Sequence, residues 1–323
     1  MNDTSADEHF DVVFEKLDGA LMSVAGSSSS DVWAVGADTR DGQGALLLHF
    51  DGMRWTREAV GVEADLWWVR VFSKKSLFVG GAKGTIVRYD GQQFTAMTTP
   101  GTSTVWGIWG ATENDLWAVG GDPDVAPGFL WHFDGKAWSD VTGELPKGKR
   151  GAVLFKIWGQ ASDDVWAVGM DGTTLHWDGT TWTTGDSGTE QRIFTVHGAP
   201  QGKPAFVAVG GFDDSVILEW NGTTWHDVTP PSPPKGWPAQ LYGVFMDAEE
   251  HGYAVGFEGA VLERTPTAWK LLNTGFEDFN PLHAVWVDPD GGVWAVGGDV
   301  NSPTPSEGML VHHGKAISNE LAK

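Results

Sequence analysis

Short apolar runs alternate with turn residues along the whole chain, and one pairing keeps returning. Val-Gly stands at 35–36, 79–80, 119–120, 168–169, 209–210, 255–256 and 296–297, at intervals of 40 to 49 residues. Ahead of each pair lies an apolar run: LMSVAG, WVRVFS, VWGIWG, LFKIWG, IFTVHG, LYGVFM and LHAVWV. Behind it lies a wetter run: ALLLHFDG, TIVRYDG, FLWHFDG, TLHWDG, VILEWNG, AVLERTP and MLVHHGK. Five units close on Trp55, Trp138, Trp182, Trp225 and Trp269, and Phe94 takes that place in the second. Asp-Gly and Asn-Gly steps permit the positive φ angles that tight hairpins need. Each unit therefore predicts four short strands, and no segment carries a helical period. Seven such units predict an all-β fold, a seven-bladed β-propeller of four-stranded antiparallel blades around a central channel. Residues 1–323 are expected to form this one domain.

The ring must also close. The seventh unit starts near Pro281 and ends in VHHGKAISNELA, without a closing Trp. The N-terminal segment HFDVVFEKL reads as a strand over about 10–17. It is expected to pair with blade seven and so join the two ends of the chain. The alternative is that Ala316–Leu321 supplies the fourth strand while the N-terminus adds an edge. In both cases the termini lie close together.

Composition supports this picture. Glycine numbers 44 and tryptophan 19. Wide flat side chains suit the wedge between blades, and glycine suits tight corners. Fourteen tryptophans fall on repeated positions and are expected in the core; Trp67, Trp68, Trp106, Trp131 and Trp237 do not. The formal net charge is -22, with 43 acidic against 21 basic residues. Lys and Arg form no stripe, so nucleic acid and anionic membranes are poor partners. No run is apolar enough to insert in a membrane. Cysteine is absent, which excludes disulfides, thiolate nucleophiles and cysteine-based metal sites. The acidic start MNDTSADEHF lacks the apolar stretch of a signal peptide, so the cytoplasm is the default expectation; a processed form would be periplasmic or extracellular.

At the WAVG…DG…W residues the sequence resembles bacterial seven-bladed propellers with WxVG repeats. Ycf48-like photosystem II assembly factors and sialidase-type (BNR) repeat proteins are the families it is similar to. The resemblance implies the fold over almost the whole chain. It departs from the sialidase-type box Ser-x-Asp-x-Gly-x-x-Trp: His176-Trp177-Asp178-Gly179-Thr180-Thr181-Trp182 closes the Asp–Gly gap and lacks the serine. The arginines are scattered, so a sialidase-like arginine triad is not expected.

By fold analogy the first strand of each blade lines the channel, and the loops between blades share a rim with those joining strands two and three. Aligned on the repeat, the first-strand residues nearest that rim are Met22, Val69, Trp106, Phe155, Phe194, Tyr242 and His283. The next column is Ser23, Arg70, Gly107, Lys156, Thr195, Gly243 and Ala284. This predicts an aromatic mouth with two cations just inside. Such a mouth can stack a sugar or aromatic ring while Arg70 and Lys156 hold a carboxylate. Trp237, in TPPSPPKGWPAQ, is a further ligand-binding candidate, because proline stiffness would present it outward; capping of a blade edge is the other reading. Asp38, Asp122, Asp171, Asp213, Glu258 and Asp299 recur just after Val-Gly. They suit turn capping, or a calcium-attracting crown. Metal candidates are Asp122, Asp171, His197 and His283, although no cofactor is predicted.

The leading functional expectation is a non-catalytic recognition propeller. It would bind a saccharide, a peptide or a small aromatic ligand through Trp106, Phe155, Phe194, Trp237 and Tyr242. The runner-up is a channel-mouth enzyme (hydrolase, lyase or metal-assisted oxidase) with Arg70, Lys156, His197, Tyr242 and His283 as its polar centre. A third reading is an assembly scaffold for another protein, which predicts an exposed apolar patch around Trp237.

Overall fold

Asp-Gly and Asn-Gly steps turn the chain back on itself in blade after blade. In the computed structural model, which describes residues 9–123, 125–199, 206–247, 251–275 and 280–322, Asp51 Oδ1 accepts the N–H groups of Met53 and Arg54 at 2.8 and 2.9 Å. Asp90, Asp134, Asp178 and Asn221 repeat the same two bonds. Each precedes a glycine at positive φ, from 86° at Gly135 to 96° at Gly222. These bonds favour the charged carboxylate, and they hold Asp51, Asp90, Asp134 and Asp178 below the usual range.

The strands sort into seven sheets, antiparallel except for one short C-terminal edge strand. The first, innermost strands of blades one to seven are Leu21–Ser28, Leu66–Ser73, Val105–Thr112, Leu154–Ala161, Ile193–His197, Leu241–Met246 and Leu282–Val287. The fold is a seven-bladed propeller with four strands per blade, as the repeat predicts. Strand Asp11–Leu17 completes blade seven by pairing antiparallel with Ser306–His313, with Val12 opposite Val311 and Phe14 opposite Leu310. The alternative closure is not what forms. The C-terminal residues Leu321–Ala322 pair in parallel with Trp55–Thr56, on the outer edge of blade one. Phe14, Trp55, Ile317 and Leu321 meet in one apolar cluster, so both chain ends converge at this seam.

The closing tryptophans are buried: Trp55, Trp138, Trp182, Trp225 and Trp269 lie in clusters between neighbouring blades. A second repeated device holds the middle strands. Trp33 stacks on His49 at 3.9 Å, and His49 Nε2 bonds Asp31 at 2.9 Å. His132 with Asp115 and Trp117, and His176 with Asp164 and Trp166, repeat this triad. In blade seven His312 packs on Trp294, whose indole N–H goes to Asp288. These four histidines are thus scaffold parts within their own blades.

The two termini should differ in weight. Phe14 is buried against Trp55, with ring centroids 5.6 Å apart, so Phe14→Ala is expected to destabilise the protein by about 3 kcal/mol. Leu321→Asp, on a two-residue edge pairing, is expected to cost less than about 1 kcal/mol. Urea denaturation of both variants checks the order; equal losses would mean that the C-terminal strand also closes the ring.

Candidate functional site

Every innermost strand carries a β-bulge at its second residue. In blade one Leu21 faces Gly36 and Ser23 faces Val35, which leaves Met22 unpaired between them. The same skip leaves Trp67, Trp106, Phe155, Phe194, Tyr242 and His283 unpaired. A bulge re-aims the side chain it carries. Here the six aromatic bulge residues line a single cavity of about 320 Å³ at the mouth where the first strands begin.

Their rings form a closed collar. Centroid distances run 4.4 Å for Trp67–Trp106, 6.2 Å for Trp106–Phe155 and 5.4 Å for Phe155–Phe194. They continue at 5.5 Å for Phe194–Tyr242, 6.0 Å for Tyr242–His283 and 5.7 Å from His283 back to Trp67. Met22, the seventh, is fully buried beside Trp67. Backbone and amide bonds fix the collar. Trp106 Nε1 donates to the Gly121 carbonyl at 2.6 Å. The Tyr242 hydroxyl bonds Gln240. His283 Nδ1 lies 2.6 Å from the Met22 carbonyl, so it carries the proton and Nε2 is the free acceptor. Burial, with Lys156 nearby, pushes His283 down to about 4 and keeps it neutral. Burial raises the Tyr242 phenol.

Lys156 forms the floor. Its side chain passes Gly107, where a Cβ would stand 3.2 Å from Lys156 Cα. Its Nζ donates to the Trp106 carbonyl at 3.1 Å and sits 3.9 Å over the Trp68 ring. The Trp68 contact is worth about 2 kcal/mol when desolvated. An ammonium buried without a counter-ion loses more than that, so burial wins and pushes Lys156 down to about 7.

The expected site divides in two. Lys156, Tyr242 and His283 share this cavity with Trp106, Phe155 and Phe194, whereas Arg70 and His197 lie toward the other end of the channel. The cause is a slip in blade two. Gly81, not Gly80, faces Leu66, so Trp67 and Trp68 occupy the places assigned to Val69 and Arg70. Arg70 pairs with Phe78 as Trp158 pairs with Trp166. Its guanidinium lies 4.9 Å over Trp158 and donates to the Gly110 carbonyl. Burial lowers it to about 10. His197 stacks between Trp158 at 4.0 Å and Phe245 at 4.2 Å, and its Nδ1 accepts the Met246 N–H. Burial, with Arg70 adding, pushes it to about 3. Arg70 and Lys156 therefore do not form one carboxylate clamp, and the five polar candidates do not form one centre.

Trp237 is not presented outward. It is half-buried at a blade edge, its indole donating to Ser215 Oγ at 2.9 Å, and it packs on the apolar cluster between blades five and six. The four metal candidates do not converge either. His197 and His283 stand at opposite ends of the channel, Asp122 accepts from Thr104 and Asp171 sits in a left-handed turn at φ 52°. Among the described residues no group of three or more His, Asp or Glu is spaced to hold a metal ion. Sequence reasoning missed Trp67, Arg192, Phe212, Gln240 and Asn301 in the cavity wall. The double glycine Gly80-Gly81 leaves the register of blade two open without settling it, since Gly120-Gly121, Gly210-Gly211 and Gly297-Gly298 repeat it with the first glycine facing the strand; loop conformation brings in the other residues.

No family model matches the chain, and no curated protein matches it in sequence. Solved structures match its fold. YCF48 from Cyanidioschyzon merolae superposes with a TM-score of 0.69 at 13% identity, over 94% of this chain and 98% of that one. The chain resembles Ycf48 in fold. A structure titled "YCF48 bound to D1 peptide" matches at 0.69 and 12% identity, over 98% and 100% of the two chains. A streptogramin B lyase matches at 0.70 and 13% identity, over 95% and 99%. One of these neighbours is an enzyme and another holds a peptide, so the shared fold does not select a function.

Two outcomes follow from this geometry. A Cβ on Gly120 would stand 1.9 Å from the Thr104 carbonyl, beside the Trp106 bulge. Gly120→Ala is expected to destabilise by about 2 kcal/mol, read by urea denaturation. For Lys156, the unfolded chain keeps the amine protonated up to 10.5 while the folded one releases the proton near 7. The charged amine therefore opposes folding fully below pH 7, and that opposition fades as pH rises toward 10.5. Lys156→Met is expected to melt above wild type at pH 6, with the gap shrinking by pH 10. A gap independent of pH would show that Lys156 is not buried as charge.

Proposed function

We infer that the protein is a non-catalytic recognition propeller whose collar takes a flat apolar ring. The ring belongs to a small aromatic molecule, to an aromatic side chain of a peptide or to the apolar face of a sugar. The observation that carries this reading is the unbroken circuit of six aromatic rings around one cavity. Aromatic walls give large contact area at little loss of side-chain freedom. They are also held in place before a ligand arrives, which lowers the cost of binding. The peptide-bound Ycf48 structure, similar in fold, supports a recognition role without naming a ligand for this chain. A scaffold role has less support. Among the described residues, the exposed large apolar side chains Val12, Met53, Val125, Phe212 and Phe257 are scattered over separate blades rather than gathered around Trp237.

An enzyme remains the second reading, because Lys156, Tyr242 and His283 share the cavity and burial shifts all three. Against it, the Tyr242 hydroxyl and His283 Nδ1 are already engaged by Gln240 and Met22.

Saturation-transfer NMR with 2-naphthamide, a neutral aromatic probe, tests the recognition reading. Ring protons of the probe are expected to show transfer with wild type, and Trp106→Ala is expected to weaken binding about tenfold. Binding that ignores Trp106→Ala would place the ring elsewhere and sink the reading.

A further inference from the structure

The collar cavity has a charge opposite to that of the protein around it. The chain carries 43 acidic and 21 basic residues, yet among the described residues no Asp or Glu lines this cavity. Two cations do: Lys156 at the floor and Arg192 in the wall. Lys156 is buried, at 6% exposure, and its two contacts are a backbone carbonyl and the Trp68 ring. Neither is an anion. Arg192 lies against the Phe212 ring, its guanidinium 4.8 Å from the centroid. A buried ammonium with no counter-ion is costly, and a ligand that brings one relieves that cost at the moment of binding.

We propose that the cavity selects an aromatic carboxylate, with the ring inside the collar, the carboxylate on the Lys156 ammonium and Arg192 as the second cation in the wall. This rests on the reading of the collar as a ring-binding site and adds the charge of its ligand. The neutral groups around the amine fit the same ligand. His283 is held uncharged with its Nδ1–H turned to Met22, and Thr195 Oγ1 donates to the Tyr242 carbonyl at 2.5 Å. Neither presents a competing anion. The titratable group coupled to Lys156 is His283, and among the described residues lining the cavity, Tyr242 and Arg192 included, none is a carboxylate. Burial leaves the amine only part-protonated near neutral pH. A carboxylate ligand therefore draws a proton onto Lys156 as it binds above pH 7, whereas a neutral ligand does not.

Calorimetry with naphthalene-2-carboxylate and 2-naphthamide on the full chain at pH 6 separates the possibilities. The carboxylate is expected to bind about tenfold more tightly than the amide. Lys156→Met should erase that preference, bringing the ratio of the two affinities to about one whatever the amide affinity itself becomes. Arg192→Gln, in the wall, should lower the carboxylate-to-amide affinity ratio about threefold. From pH 6 to pH 9 the carboxylate should weaken while the amide holds constant. Equal binding of both probes overturns the carboxylate assignment but leaves the ring-binding collar standing. So does a preference that survives in Lys156→Met. Binding of neither probe overturns the collar reading and this proposal together.

Discussion

Opposite the start of every innermost strand stands a glycine where any side chain would collide with a neighbouring carbonyl, and the whole channel depends on that fact. A Cβ on Gly36, Gly81, Gly120, Gly169, Gly210, Gly256 or Gly297 would lie between 1.9 and 2.3 Å from the carbonyl of the residue just before the blade's innermost strand. Glycine lets that carbonyl press onto the second strand. The chain then has one residue too many for the ladder, and the surplus appears as the bulge. The bulged residue has no cross-strand partner, so its side chain is free of the two-residue alternation that sends its neighbours between blades. The repeated glycine is thus the cause of the aromatic collar as well as of the tight strand pairing.

This divides labour cleanly along each innermost strand. The aliphatic column Val24, Val69, Ile108, Ile157, Val196, Val244 and Val285 is buried in every blade and carries no chemistry. The bulge column varies from Met22 to Trp106 to His283 while keeping one position. The column beyond the aliphatic one holds Ala25, Arg70, Trp109, Trp158, His197, Phe245 and Trp286, each set by the same register. Blades two and four face each other across Gly107 with two matched contacts, Trp68 under Lys156 and Arg70 over Trp158. A Cβ at 107 would crowd the first of these, standing 3.2 Å from Lys156 Cα and 3.4 Å from its Cδ.

The fold was legible because its causes repeat. Val-Gly, Asp-Gly and the closing Trp each mark a backbone requirement that recurs seven, or nearly seven, times, so a misread copy is outvoted. The site was legible only in part because it consists of what differs between copies. Trp106, Phe155, Phe194, Tyr242 and His283 sit at the position the alignment gave them, since a glycine partner anchored each register. Blades two, three, five and seven each carry two glycines in a row, and in blade two alone of these the second one faces the innermost strand, so reading the first as the partner moved Arg70 to the wrong end of the channel. Trp237 failed for another reason. Its prolines do stiffen the loop, but Ser215 and the apolar cluster between blades five and six offer the ring more than solvent does, and no local pattern reports a partner 22 residues away.

The acidic surface and the basic pocket act over different distances. At physiological salt, charges in water are screened beyond about 8 Å, so the net -22 of the chain acts on an approaching anion mainly near the surface. Lys156 sits under six rings and away from bulk water, where screening is weak and a single pairing counts for more. The surface then governs how often an anion reaches the mouth, and the floor governs how long it stays. A neutral ring meets neither effect. Under the proposed carboxylate binding, discrimination between the two kinds of ligand rests mainly on the buried Lys156 amine and secondarily on Arg192, while the collar supplies the contact area common to both.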